Sequence, residues 1–154
     1  MKVQRLSHIG ICVSQLERSL VFYRDVLGFR ELSRLTVTGP QAEQLLDIKG
    51  VELQAVYLER DGTRIELLYY PVGGHPGPAG PGPMNRLGLT HLSFRVADLD
   101  AVVEAAQQAG GECLRASIVA NEAGQTKAVF ITDPDGLRIE LLQAPGDPDA
   151  LPGS

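Results

Sequence analysis

Cysteine and histidine are both scarce, with two and three copies respectively in 154 residues. Cys12 and Cys113 sit in unrelated contexts, so they form neither a disulfide framework nor the paired spacing of a zinc knuckle. Both are expected to be buried thiols. No run of Lys or Arg stands out and the formal net charge is -5, which argues against a nucleic-acid groove. No apolar run approaches the length of a membrane span. The start, Met1-Lys2-Val3-Gln4-Arg5, lacks the apolar core of a signal peptide. The expectation is a soluble cytoplasmic protein that contacts neither nucleic acid nor membrane. With 44% hydrophobic residues, the length suits one ordinary domain or two small modules sharing a core.

What is present is a repeat. Asp61-Gly62-Thr63-Arg64-Ile65-Glu66-Leu67-Leu68 and Asp135-Gly136-Leu137-Arg138-Ile139-Glu140-Leu141-Leu142 agree at seven of eight positions, 74 residues apart. The stretch from His8 to Leu16 lines up with that from His91 to Leu99 at a spacing of 83. Two matches in the same order argue for internal duplication. The first copy then carries about nine extra residues between its helix and its last strand.

Residues 6–13 alternate as a strand, with Ile9, Ile11 and Val13 on one face and His8, Gly10 and Cys12 on the other. A helix over 15–27 follows. Ser14 and Glu17 have capping-box spacing, and Gly28 suits a left-handed residue past the helix end. Leu16, Leu20, Phe22 and Tyr23 form its core face. Strands are expected at 29–37, 51–59 and 64–70. Pro40 opens a short extra helix to Leu46, proline being at home in a first turn. The second copy repeats the plan: a strand at 89–96, a helix over 98–109 ended by Gly110-Gly111, and strands at 112–118, 126–132 and 137–143. Asp133-Pro134-Asp135-Gly136 reads as a tight turn. The fold class is therefore α+β. The first module spans 1–72, a Gly/Pro-rich linker or lid 73–86, the second module 87–144 and a flexible tail 145–154.

His8 and His91 open the first strand of each copy, and Glu66 and Glu140 lie in the last. Alternation turns all four away from the strongest apolar set, toward the face opposite the helices. An imidazole and a carboxylate are costly to enclose unless something pairs them. Repeated in both copies, the pair points to one divalent ion (Zn, Ni, Co, Mn or Fe) held by His8, Glu66, His91 and Glu140. Two hydrogen-bonded His–Glu pairs without metal are the plainer alternative. Arg64, Arg138 and Arg95 share the ligand face and could hold a substrate carboxylate or another anion; pairing with nearby acids is the competing role. Arg95 is the preferred contact, because uncharged Cys12 takes its place in the first copy. His75 lies in the Gly/Pro segment, solvated or in a lid. Tyr57, Tyr69 and Tyr70 are core or wall.

These features resemble the vicinal oxygen chelate superfamily of glyoxalase I, methylmalonyl-CoA epimerase, extradiol dioxygenases and bleomycin- or fosfomycin-resistance proteins. The resemblance spans nearly all of residues 4–144. It rests on His8 with HIGICV, on FYRDVLGF and DGTRIELL, and on His91 with HLSFRV and TDPDGLRIELL. It implies paired βαβββ modules whose curved sheets make a cup, with helices outside. It puts the metal ligands at His8, Glu66, His91 and Glu140. The modules would pair within one chain or across a homodimer.

The complete His/Glu/His/Glu set looks most like glyoxalase I. The implied reaction isomerises a small carbonyl or thiol-adduct substrate. The metal acts as Lewis acid, Glu140 is the base that moves a proton through an enediolate, and Glu66 holds the metal or assists. An epimerase is the first alternative; Gln is usual there in place of Glu66, and Glu52 or Glu43 would supply the second base. An Fe(II) dioxygenase is the next, although a fourth protein ligand would crowd its open positions. A metal-free binding protein for a natural product is the last.

Overall fold

The computed structural model describes residues 1–77 and 80–151. The chain divides into two compact units, Met1–Pro78 and Ala79–Ser154. Each carries a mixed sheet, so the class is α+β.

In the first unit, β1 (Ile9–Cys12) leads to α1 (Leu16–Val21), which widens into a π-helical turn over Phe22–Val26. β2 (Arg30–Thr38), α2 (Pro40–Leu46), β3 (Glu52–Arg60) and β4 (Thr63–Val72) follow. The strand order is β1-β4-β3-β2, with β1 parallel to β4 and the other pairs antiparallel. The second unit contains β5 (Leu92–Arg95), α3 (Leu99–Gln108), β6 (Glu112–Cys113), β7 (Val119–Ala120), β8 (Lys127–Thr132) and β9 (Arg138–Gln143). Its order is β5-β9-β8-β6, with β7 also on β8 and β5 parallel to β9. The same topology stands in both units, as duplication requires.

In each unit, one face of the sheet buries its alternate residues under the helix. Ile11, Val56, Leu58, Ile65 and Leu67 are buried in the first, with α1 packed on β4. Leu16, Leu20, Phe22 and Tyr23 supply the helix side of this core, as expected. Val129, Ile131, Ile139 and Leu141 do the same under α3. Burying one such side chain is worth roughly 1.5–3 kcal/mol, so this face sets the register of every strand, and a one-residue slip would expose it.

Both helices close alike. Gly28 has φ +73°, and the N–H of Phe29 donates to the Tyr23 carbonyl at 3.0 Å; Gly110 has φ +91°, and the N–H of Gly111 donates to Ala106 at 2.8 Å. These are the left-handed closures that glycine permits without a Cβ penalty.

Three local expectations are corrected. The N-cap of α1 is Gln15, without a side-chain cap bond. Ser14, one residue before it, has its Oγ accepting from Arg18, and Glu17 pairs with Arg34 at 2.8 Å. The cap does form in the second copy, where Asp98 accepts from the N–H of Ala101. The strand expected at 112–118 is instead two short strands around a 3-10 turn at Arg115–Ser117, where Ser117 Oγ donates to the Leu114 carbonyl. Cys12 is exposed and Cys113 half-buried, so neither is the buried thiol expected. Cys12 alternates with buried Ile11 and therefore faces away from the helix.

No helix among the described residues is long and apolar enough to cross a membrane. Described residues 73–77 and 80–86 hold no helix or strand; of the expected linker, residues 78 and 79 lie outside the description. Past Gln143 the described residues hold no helix or strand, and at a turn the Asp147 carbonyl accepts from the N–H of Ala150.

Candidate metal centre

The parallel register pairs Gly10 with Glu66 on β1 and β4, and Ser93 with Glu140 on β5 and β9. Paired residues share a face. His8, two positions before Gly10, and His91, two before Ser93, therefore approach their glutamates. His8 Nε2 lies 3.1 Å from Glu66 Oε2, and His91 Nε2 lies 4.0 Å from Glu140 Oε2.

Each imidazole is held the same way from behind. His8 Nδ1 is 3.0 Å from the Ser7 hydroxyl, and His91 Nδ1 is 2.8 Å from the Thr90 hydroxyl. A hydroxyl can accept from Nδ1–H, which leaves the Nε2 lone pair free to bind a metal; it can also donate, which leaves Nε2–H for the carboxylate. Each ring also meets an aromatic edge: His8 and Tyr57 have centroids 5.2 Å apart, and His91 and Phe130 5.5 Å. Tyr57 and Phe130 are the antiparallel partners of Glu66 and Glu140. The unit repeated is therefore a hydroxyl, an imidazole, a carboxylate and an aromatic ring, set by one register.

The copies differ at the carboxylate. Tyr57 is the cross-strand neighbour of Glu66, and burial first, then its interaction with the Glu66 carboxylate, pushes its phenol above the usual range. Glu140 accepts from Ser93 Oγ at 2.7 Å instead. The side chain of Glu66 is 12% exposed and that of Glu140 31%. Tyr70 lies on the Glu66 face, and burial, with the charges of Cys12 and Glu66, raises its phenol too.

A scan against family models matches residues 5–141 to the "Glyoxalase/Bleomycin resistance protein/Dioxygenase superfamily". The chain belongs to this superfamily. A lactoylglutathione lyase of Haemophilus influenzae is 31% identical over 143 residues, covering 90% of this chain and 92% of its own. Escherichia coli protein YaeR, printed as uncharacterized, is 30% identical, covering 92% of this chain and 97% of its own. A crystal structure of a glyoxalase family protein from Bacillus cereus superposes with a TM-score of 0.79 at 21% identity, covering 95% of this chain and 97% of its own. That likeness extends the fold assignment to the glyoxalase type.

Within this glyoxalase-superfamily chain, the sequence-derived pairs His8–Glu66 and His91–Glu140 are each brought together. No group of three or more His, Cys, Asp or Glu is gathered into a metal-holding cluster among the described residues. Each half nonetheless offers an imidazole nitrogen and a carboxylate, with the far nitrogen tied to a hydroxyl. That donor set and its outer support fit a borderline divalent ion.

The arginines have distinct surroundings. Arg138 stacks over Phe130 with its guanidinium carbon 5.2 Å from the ring centroid, and donates to the Gly82 carbonyl at 2.9 Å. Arg95 donates to the carbonyls of Ala144 and Pro145 at 3.0 and 2.9 Å. Arg64 is exposed near the Asp61-Gly62 hairpin turn. Glu52 alternates with Leu53, Ala55 and Tyr57 along β3, so it faces away from Glu66. Glu43 is on α2, and His75 is exposed. Sequence reasoning missed Ser7, Thr90, Ser93 and Phe130. The polar residues just before each histidine were a signal; the cross-strand neighbours of the glutamates were legible only with the register.

Proposed function

We propose that this chain is a metal-dependent enzyme of glyoxalase I type, which isomerises the adduct of a thiol and a 2-oxoaldehyde to a hydroxyacyl thioester. The repeated imidazole–carboxylate pair, each imidazole backed by a hydroxyl on Nδ1, carries the reading. Relatives named lactoylglutathione lyase support the substrate class.

His8 and Glu66 from one module and His91 and Glu140 from another would hold the ion, the modules pairing within a chain or across a homodimer. Bound there, Zn, Ni, Co, Mn or Fe would supply Lewis acidity toward two neighbouring substrate oxygens. Glu140, the more exposed carboxylate, takes the proton from the sulfur-bearing carbon and returns it to the adjacent carbon. One C–H bond breaks and another forms, the hydroxyl proton passes from the oxygen on the sulfur-bearing carbon to the oxygen on its neighbour, and no external oxidant or reductant takes part. Glu66 remains with His8 and Tyr57. Arg64 is the substrate-anion contact with the most freedom, and Arg95 and Arg138 retain donors for the same role. An epimerase would need a second base on the opposite side, and Glu52 does not face Glu66.

The test measures bound metal, growth of thioester absorbance with a panel of thiols and a 2-oxoaldehyde, and the same for Glu140→Gln. The expected result is a stoichiometric ion, thioester formation, and a fall in kcat of at least about a hundredfold in the variant. Arg64→Ala should raise KM for anionic thiol adducts with little change in kcat. Absence of a stoichiometric ion, or no thioester with any thiol, overturns the reading.

A further inference from the structure

The two modules differ in what their strands set beside the glutamate. In the first module the neighbour on β3 is Tyr57 and the neighbour on β1 is Gly10. In the second the β8 position is Phe130, with no hydroxyl, and the donor comes from β5, as Ser93. Gly10 could not take a serine freely, since a Cβ there would lie 3.1 Å from Leu68 Cδ1.

The consequence is visible in the carboxylates. Glu66 sits 3.1 Å from its imidazole and is the more enclosed. Glu140, bonded to Ser93 at 2.7 Å, stands 4.0 Å from its imidazole, beyond hydrogen-bond reach, and is the more exposed. Ser93 thus offers Glu140 a resting partner apart from His91, and a carboxylate that must leave an ion to accept a proton needs such a partner.

We propose that Ser93 is a positioning residue that sets Glu140 apart from Glu66: it holds Glu140 in the position from which it moves the proton. This rests on the glyoxalase-type reading above.

Ser93→Ala and Ser93→Thr test it, with metal affinity measured by competition with a chromophoric chelator alongside kcat and KM. Ser93→Ala should lower kcat at least about tenfold while KM and metal affinity stay within about twofold; threonine, which keeps the hydroxyl, should restore most of kcat. A normal kcat in Ser93→Ala, a loss shown only in metal affinity, or no rescue by threonine overturns the proposal while wild-type metal binding and turnover leave the glyoxalase-type reading standing. Wild-type protein without a stoichiometric ion or turnover overturns both.

Discussion

His8 Nε2 stands 3.1 Å from Glu66 Oε2, although the two residues come from opposite ends of their module. The equivalent His91 and Glu140 are 4.0 Å apart. In the metal-free protein, His8→Ala removes the partner of an enclosed carboxylate and should cost about 1–2 kcal/mol of stability. His91→Ala breaks no direct bond to Glu140 and should cost less than about 1 kcal/mol. Urea unfolding after chelation measures both; equal losses would contradict the asymmetry of the two pairs.

Gly136 has φ +90°, and a Cβ there would overlap the backbone of Gly80, which lies over the Asp133–Gly136 turn. Gly136→Ala should cost at least about 3 kcal/mol, from conformational strain plus displacement of that segment. Gly124 has φ +67° with nothing near its missing Cβ, so Gly124→Ala should cost only about 1–2 kcal/mol. Thermal or urea midpoints of the two variants check the difference. Equal costs would mean that Gly80 is not seated on the turn.

Arg34 bridges Glu31 and Glu17 at 2.7 and 2.8 Å. Its hydrogen bond to Glu31 holds that carboxyl below the usual range, against the opposing effect of burial, with help from the charges of Arg34 and Arg24. A depressed folded-state pKa adds stability that is complete above the unfolded carboxylate's pKa and disappears as pH falls through the folded one. Arg34→Gln should therefore lower stability near neutral pH, and the difference should vanish in acid as pH falls through the folded Glu31 pKa. The side chains are 46% and 31% exposed, so screening limits the loss to about 1 kcal/mol or less, shrinking in high salt. Unfolding curves across pH for both proteins are the measurement, and a constant gap down to acid would contradict it.

Much of this was readable from local pattern. The repeat located both modules, and alternation put His8 with Glu66 and His91 with Glu140 on the face opposite the helices. Gly28 and Gly110 marked the helix ends because a left-handed closure needs glycine. The failures were those where a local motif competed with a distant partner. Ser14 and Glu17 have the spacing of a cap, yet Arg18 and Arg34 take them.

By itself, then, the sequence determined the duplicated α+β plan and the identity of the four candidate ligands, because apolar periodicity and repetition are written along the chain. Only the tertiary structure decided what surrounds each glutamate. Strand register brings Tyr57 to Glu66 and Ser93 to Glu140, and register depends on which buried faces meet, a relation between segments that no single segment carries.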